Sequence, residues 1–143
     1  MGCDIHFVVE RRSRAGGGWI GLYSCLVRPL RADLVACRRD YDFFAELARV
    51  RGDGSPCSLA PRGLPEDASE LARQEFAQPS AGFHTPTHVR LSELVDAWVR
   101  AHDGEDGREP AGAEVRPECA AYDLVGVEDD AEREHRVVLW FDS

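Results

Sequence analysis

The side chains best suited to chemistry lie near the start of the chain. Residues 3–10 alternate in a way that is typical of a β-strand and place Asp4 and His6 on one face. Residues two apart on a strand stand roughly 6–7 Å from each other. A carboxylate beside an imidazole fixes the tautomer of the ring, and histidine titrates near neutral pH, as a general acid or base must. Asp4 and His6 are therefore candidate catalytic residues; the alternative is that this face is polar only because it is exposed to solvent.

A second polar segment, Phe83–His88, contains two histidines and two threonines around a proline. We predict that residues 78–86 are irregular, and such loops often carry ligand contacts. His84 is the second candidate catalytic residue, because a phosphoryl-transfer site needs one group to accept a proton and another to donate one. Thr85 is a candidate ligand-binding residue.

The histidine spacing also raises the question of a metal. His84 and His88 stand four residues apart, as zinc-binding histidines do on a helix, but Pro86 between them disfavours a helix. A zinc site would require this segment to fold onto Asp4 and His6 so that three or four ligands converge. We predict no metal ligands and no cofactor, and keep a zinc hydrolase as a remaining alternative.

Three further residues are candidates for contacting a ligand. Arg62 lies in the stiff segment Pro61–Pro65, and a rigidly held guanidinium suits phosphate recognition. The alternative is an ion pair with one of the 26 acidic residues. Arg51 carries the same two interpretations. Tyr41 could stack on a base, although its helical spacing is also that of a core residue.

These residues must be positioned by a small set of elements. Strands are predicted at residues 3–10, 19–23, 122–127 and 136–141, with hairpins joining the first two and the last two. Helices are predicted from Asp40 to about Gly52, from Asp67 or Ser69 to about Phe76, and from Leu91 to His102. Strands at both ends of the sequence with helices between them predict an α+β fold, a mostly antiparallel sheet with about three helices packed on one side.

Length and composition indicate one globular domain over residues 1–143. The chain is 43% apolar and 30% charged, and residues 103–118 form an acidic stretch rich in glycine and proline that we expect to be a surface loop.

No apolar run is long enough to span a membrane, and no secretory signal opens the sequence, so we expect a soluble, cytoplasmic protein with no membrane partner. Five cysteines without a CxxC pair suit reduced thiols.

The charge balance limits the class of ligand. The net charge is −9, and all 17 basic residues are arginine. Binding to long nucleic acid is not expected, because it usually requires a basic face that neutralises phosphates. A small nucleotide held by a few arginines remains compatible with this charge. The sequence does not indicate the oligomeric state.

Several short motifs together resemble one family. They are Met1–His6 (MGCDIH), Arg39–Ala45 (RDYDFFA) leading to Val50-Arg51, Pro61–Pro65 (PRGLP) followed by Asp67 and Ser69, His84-Thr85, and the closing Trp140-Phe141-Asp142. In this order they resemble a family of small, uncharacterised phage and prophage proteins that open with MGCDIH. The resemblance implies a role in counter-defence inside a bacterial host, where phage proteins cleave or sequester nucleotide immune signals.

Two hypotheses from different classes follow. In the first, the protein is a metal-independent phosphodiesterase acting on a small cyclic nucleotide: His6 and His84 exchange protons with the substrate, Asp4 orients His6 and Arg62 holds the phosphoryl group. In the second, the same residues bind a nucleotide signal without turning it over. Turnover that depends on histidine would distinguish the enzyme from the binding protein.

Overall fold

The computed structural model describes residues 2–24, 40–78, 82–102 and 121–142, and it has the predicted α+β class. The four strands are β1 (Ile5–Ser13), β2 (Ile20–Ser24), β3 (His84–Arg90) and β4 (Arg133–Phe141). Among the described residues, the helices are α1 (Tyr41–Ala48), α2 (Glu70–Phe76), α3 (Leu91–His102) and α4 (Ala121–Val125). No helix among these residues is long and apolar enough to cross a membrane. The predicted loop at 103–118 lies outside the described residues.

The strands form one antiparallel sheet in the order β2-β1-β4-β3. Its centre is the pairing of the first strand with the last, which runs without a register shift from Ile5 opposite Phe141 to Ser13 opposite Arg133. The predicted hairpin at the start of the chain is confirmed, since β2 pairs with β1. The N- and C-terminal strands are therefore direct neighbours.

The first face of the sheet carries the larger core. Its strand residues are Ile5, Phe7 and Val9 on β1 and Val137, Leu139 and Phe141 on β4, and α1, α3 and α4 cover them. Asp40 caps α1 as predicted, accepting a hydrogen bond from the Phe43 amide at 3.0 Å. The helix ends earlier than the predicted Gly52, because Arg49 already adopts a left-handed φ of 56° and serves as its C-cap.

The second face is also covered. Val8 and Glu10 on β1 are completely buried, so the face as a whole is not exposed to solvent, and Asp4 and His6 at its start are half-buried. The helix α2 and the segment before it lie on this face, opposite the other three helices, and pack Ala68 and Ala72 against Val8. Ser69 begins α2 by accepting a hydrogen bond from the Ala72 amide at 3.2 Å, as predicted.

A buried charge network fixes this second layer. The Arg136 guanidinium donates to Glu10 at 2.6 Å and to Asp67 at 2.9 Å, and the Ser69 amide donates to the other Glu10 oxygen at 2.5 Å. The Trp19 ring lies between two guanidinium groups, 4.2 Å from Arg136 and 4.5 Å from Arg12. Glu10 therefore joins the sheet to the start of α2.

Two local predictions were wrong. Residues 122–127, predicted as a strand, instead form α4 and the turn after it, and Leu124 and Val125 pack into the first core. A short apolar run does not distinguish a strand from a buried helical turn. Residues 78–86 were predicted to be irregular, but the edge strand β3 already begins at His84. An edge strand tolerates the missing amide of Pro86, which lies at a register shift in the pairing with β4.

Replacing Glu10 tests the buried network. We expect Glu10→Gln to lower the free energy of unfolding by about 3 kcal/mol, because Arg136 then keeps a buried charge without its nearest counter-charge. Urea denaturation measures the loss. Glu134→Gln is the matched control, since Glu134 pairs with the half-exposed Arg12 on the same two strands; it should cost less than about 1 kcal/mol. Equal losses in the two variants would contradict a special role for Glu10.

Candidate functional site

Six of the seven predicted site residues, all except Arg62, lie near one end of the sheet. Phe141, near the end of β4, pairs with Ile5 on one side and with His84 on the other. We define the sheet rim as residues 3–6, 83–85 and 140–142, together with Tyr41 and Arg51 beside them. The rim thus combines the start of β1, the end of β4 and the start of β3.

His6 forms a hydrogen bond at the rim to a carboxylate, Asp142, that the local sequence spacing did not indicate. Its Nε2 lies 2.7 Å from Oδ2 of Asp142, and the two side chains are 20% and 27% exposed. The Asp4 amide donates to Oδ1 of Asp142 at 3.1 Å, and the Asp142 amide donates to the Asp4 carbonyl at 3.1 Å. Asp142 is thereby held in place by the continuing strand ladder.

This contact determines which nitrogen of His6 is available. A carboxylate only accepts hydrogen bonds, so the neutral ring carries its proton on Nε2 and keeps a lone pair on Nδ1. Asp142 is thus a carboxylate in contact with His6 beside the predicted Asp4, and the backbone amide of Asp4 holds it in place. Asp142 lies 136 residues away in sequence, and only the strand register brings it to His6.

Tyr41 and Arg51 flank the rim at the start of β1. The Arg51 guanidinium lies 5.7 Å from the centre of the Tyr41 ring, and the Tyr41 hydroxyl accepts a hydrogen bond from the Cys3 amide at 3.3 Å. Burial raises the pKa of the Cys3 thiol; a hydrogen bond with Arg51 opposes the shift, and the charges of Asp142 and Asp4 add to it. Cys3 is therefore a protonated thiol at neutral pH that interacts with Arg51.

Backbone strain is concentrated near the same place. Among the described residues other than glycine, positive φ angles occur at Arg49, Arg51 and Thr85, with values of 56°, 61° and 52°. Thr85 is β-branched, which makes this conformation especially unfavourable. Strained residues of this kind cluster at ligand sites, where the surrounding structure maintains them. Arg51 and Thr85 both belong to the rim.

His84 reaches the rim from the other side of β4. Its ring centre lies 6.3 Å from that of Phe141, and its Nδ1 lies 2.9 Å from the Thr85 hydroxyl. Because His84 is opposite Phe141, it shares the first face with Ile5, whereas His6 is opposite Trp140 and points to the second face. The two histidines are thus at the same end of the sheet, on strands roughly 10 Å apart, and on opposite faces.

Arg62 does not lie at the rim. Its guanidinium makes two hydrogen bonds to Glu93 on α3, at 2.6 and 2.7 Å, and a third to the His88 carbonyl at 3.0 Å. Its amide donates to the hydroxyl of Thr87 at 3.0 Å. Arg62 therefore forms an ion pair with an acidic residue, which was the alternative to phosphate recognition. Through this pair it joins the edge strand β3 to α3.

Two further features of the described residues bear on where a ligand could bind: the grouping of possible metal ligands and an acidic cavity beside α3. Within the described ranges, no three His, Cys, Asp or Glu side chains are grouped closely enough to hold a metal ion. A cavity of about 390 Å³ lies between α3 and the turn before β4, lined by Asp96, Glu128 and Asp129 among others. Its acidic lining opposes binding of an anionic ligand.

The contact between Arg62 and Glu93 predicts a specific dependence on acid. The hydrogen bond from Arg62 lowers the pKa of Glu93 to about 2, from 4.5 in the unfolded chain. The resulting stability is present above pH 4.5 and is lost as the pH falls towards 2. We expect Glu93→Gln to lower the free energy of unfolding by about 1–2 kcal/mol at pH 6 and to flatten its decline in acid. Arg62→Gln should lower the free energy of unfolding by a similar amount and flatten its decline in acid, as measured by urea titration at several pH values. If both variants lose stability in acid as the wild type does, the Arg62–Glu93 contact does not cause the acid dependence.

The Asp142 contact predicts the tautomer of His6. Long-range ¹H–¹⁵N spectra at pH 8.5 should show His6 with its proton on Nε2, and Asp142→Ala should abolish that preference. His88 is an internal reference, because its Nδ1 lies 3.3 Å from the Gly63 carbonyl and should keep the opposite tautomer in both proteins. A His6 tautomer that is unchanged in Asp142→Ala would show that Asp142 does not orient the ring.

Known proteins provide no template for this site. Comparisons with protein-family models, curated proteins and solved structures found no match. The resemblance to the MGCDIH proteins remains an expectation drawn from the motifs. The function has to be argued from the rim itself.

Proposed function

We propose that the protein is a metal-independent phosphodiesterase that cleaves a small cyclic nucleotide at the sheet rim. The observation that carries the proposal is the 2.7 Å contact between His6 and Asp142, with Asp142 held by the Asp4 amide. An imidazole fixed in one tautomer by a carboxylate is the arrangement that acid–base catalysis requires. The resemblance to phage proteins adds counter-defence as the biological role.

In the proposed reaction, Nδ1 of His6 removes a proton from a ribose hydroxyl or from water. The attacking oxygen forms a bond to phosphorus while the bond to the leaving oxygen breaks, and protonated His84 supplies a proton to the leaving oxygen. Asp142 stabilises the imidazolium that forms at His6. Attacking and leaving oxygens lie roughly in line across phosphorus, so histidines on opposite faces of one rim suit an acid and a base that act from opposite sides.

Arg51 is the proposed phosphate-binding residue in place of Arg62. Arg62 is held by Glu93 on α3, away from the rim, whereas Arg51 lies at the rim beside Cys3 and Tyr41. Arg51 also lies over the Tyr41 ring, a position that restricts the guanidinium and leaves a flat surface beside it. Thr85 is a neighbouring hydroxyl for the same ligand.

Binding without turnover is the second candidate. The observation that favours it is the aromatic character of the rim, where Tyr41 lies below Arg51 and Phe83 lies 4.9 Å from His6. Stacking on such rings and contact with one guanidinium hold a nucleotide without any proton transfer. The two candidates share a ligand and differ only in what becomes of it.

The test is incubation of metal-free protein with cyclic di- and trinucleotides and cyclic ADP-ribose isomers, followed by chromatography before and after heating. We expect new products from at least one nucleotide. His6→Gln and His84→Gln should each lower the rate about 10²–10⁴-fold. His88→Gln should retain the wild-type rate. Arg51→Asn, which tolerates a positive φ, should raise KM about tenfold.

The outcomes separate the candidates. A nucleotide that disappears from solution and returns intact on heating establishes sequestration and excludes turnover. Products formed equally by His6→Gln exclude His6 as the acid or base. If the protein neither forms a product from any nucleotide in the panel nor depletes one from solution, both candidates are overturned.

A further inference from the structure

The second face of the rim contains a buried donor, the indole N–H of Trp140, that has no acceptor among the described residues. Trp140 lies opposite His6 in the β1–β4 ladder, so the two side chains share that face. The Trp140 side chain is 2% exposed, and its Nε1 is buried without a hydrogen-bond partner in the described part of the chain. Buried donors in native proteins nearly always have an acceptor, and leaving one unpaired lowers stability.

Aromatic rings connect this indole to the surface. The Phe83 ring centre lies 5.8 Å from that of Trp140 and 4.9 Å from that of His6. Phe76 completes the group, 5.5 Å from Trp140 and stacked on Phe83 at 6.2 Å. His6, Phe83 and Phe76 are half-buried. A mainly aromatic surface with one well-placed polar group is characteristic of sites that bind planar heterocycles.

We propose that this aromatic cluster (His6, Phe76, Phe83 and Trp140) binds the base of the nucleotide. The base packs against Phe83, whose ring turns to uncover Nε1, and a ring nitrogen or carbonyl oxygen of the base accepts the Trp140 proton. The identity of the ligand rests on the proposed function. The inference extends that function, because it makes the substrate a base-bearing nucleotide and not merely a phosphodiester.

The experiment follows the three indole N–H resonances of ¹⁵N-labelled protein. The probes are AMP, GMP, CMP and UMP, which contain no phosphodiester and are not turned over, and ribose 5-phosphate, which lacks a base. At least one nucleotide should move the Trp140 indole proton downfield as the hydrogen bond forms. Ribose 5-phosphate should not, and the resonances of Trp19 and Trp98 should stay in place.

Two variants give an independent measure. Trp140→Phe keeps a ring but removes the donor, and should bind the same nucleotide about tenfold more weakly, equivalent to about 1.4 kcal/mol. Trp19→Phe is the matched control, because Trp19 lies between Arg12 and Arg136, away from the rim. The Trp19→Phe variant should bind the nucleotide as tightly as the wild type does.

The results separate this inference from the proposed function. A Trp140 resonance that no nucleotide moves, or that ribose 5-phosphate moves equally, overturns the base-binding site even if the protein cleaves cyclic nucleotides. A nucleotide-specific movement of that resonance supports the base-binding site even if His6→Gln leaves turnover unchanged and the proposed mechanism fails.

Discussion

The pairing of β1 with β4 is the constraint on which the rest of the structure depends. Nine consecutive residue pairs hold the first strand against the last. Because side chains alternate along a strand, a slip of one residue would send Phe7 and Val9 to the second face and His6 and Glu10 into the larger core. The same register places Asp142 beside His6. Folding and the candidate site therefore depend on one alignment.

The second face shows how burial and function share a strand. Towards the far end of the sheet, Glu10 and Arg136 form a buried pair that holds the start of α2. At the rim, His6 and Asp142 form a hydrogen-bonded pair that keeps partial exposure. A fully buried pair fixes structure, whereas a partly exposed pair can reach a ligand. This difference in burial supports a structural role for the Glu10–Arg136 pair and the proposed ligand-binding role for the His6–Asp142 pair.

Local patterns predicted the elements whose formation depends on nearby residues. The alternation over residues 3–10, the caps at Asp40 and Ser69, and the apolar stripe beginning at Leu91 all correspond to observed elements. The edge strand containing Pro86 and the short helix α4 were not predicted, because both depend on neighbours distant in sequence. Local sequence does not show which segment lies alongside them.

The placement of the candidate site residues was predictable to a similar extent. Asp4, His6, His84, Thr85, Tyr41 and Arg51 all lie at the rim. The carboxylate that contacts His6 is nevertheless Asp142, and the arginine in the stiff loop is bound by Glu93. Both partners are set by tertiary contacts over long sequence separations. Short-range spacing identified residue types suited to chemistry, and the sheet register determined which of them meet.

The central claim is that the rim is the ligand site, and backbone amide shifts test it most directly. The nucleotide that binds most tightly in the cyclic-nucleotide panel would be titrated into ¹⁵N-labelled protein. The account predicts that the largest amide shifts occur at residues 3–6, 51, 84–85 and 140–142, on the strands that meet at Phe141. Largest shifts beside the acidic cavity, at residues 92–96 and 128–129, would contradict it.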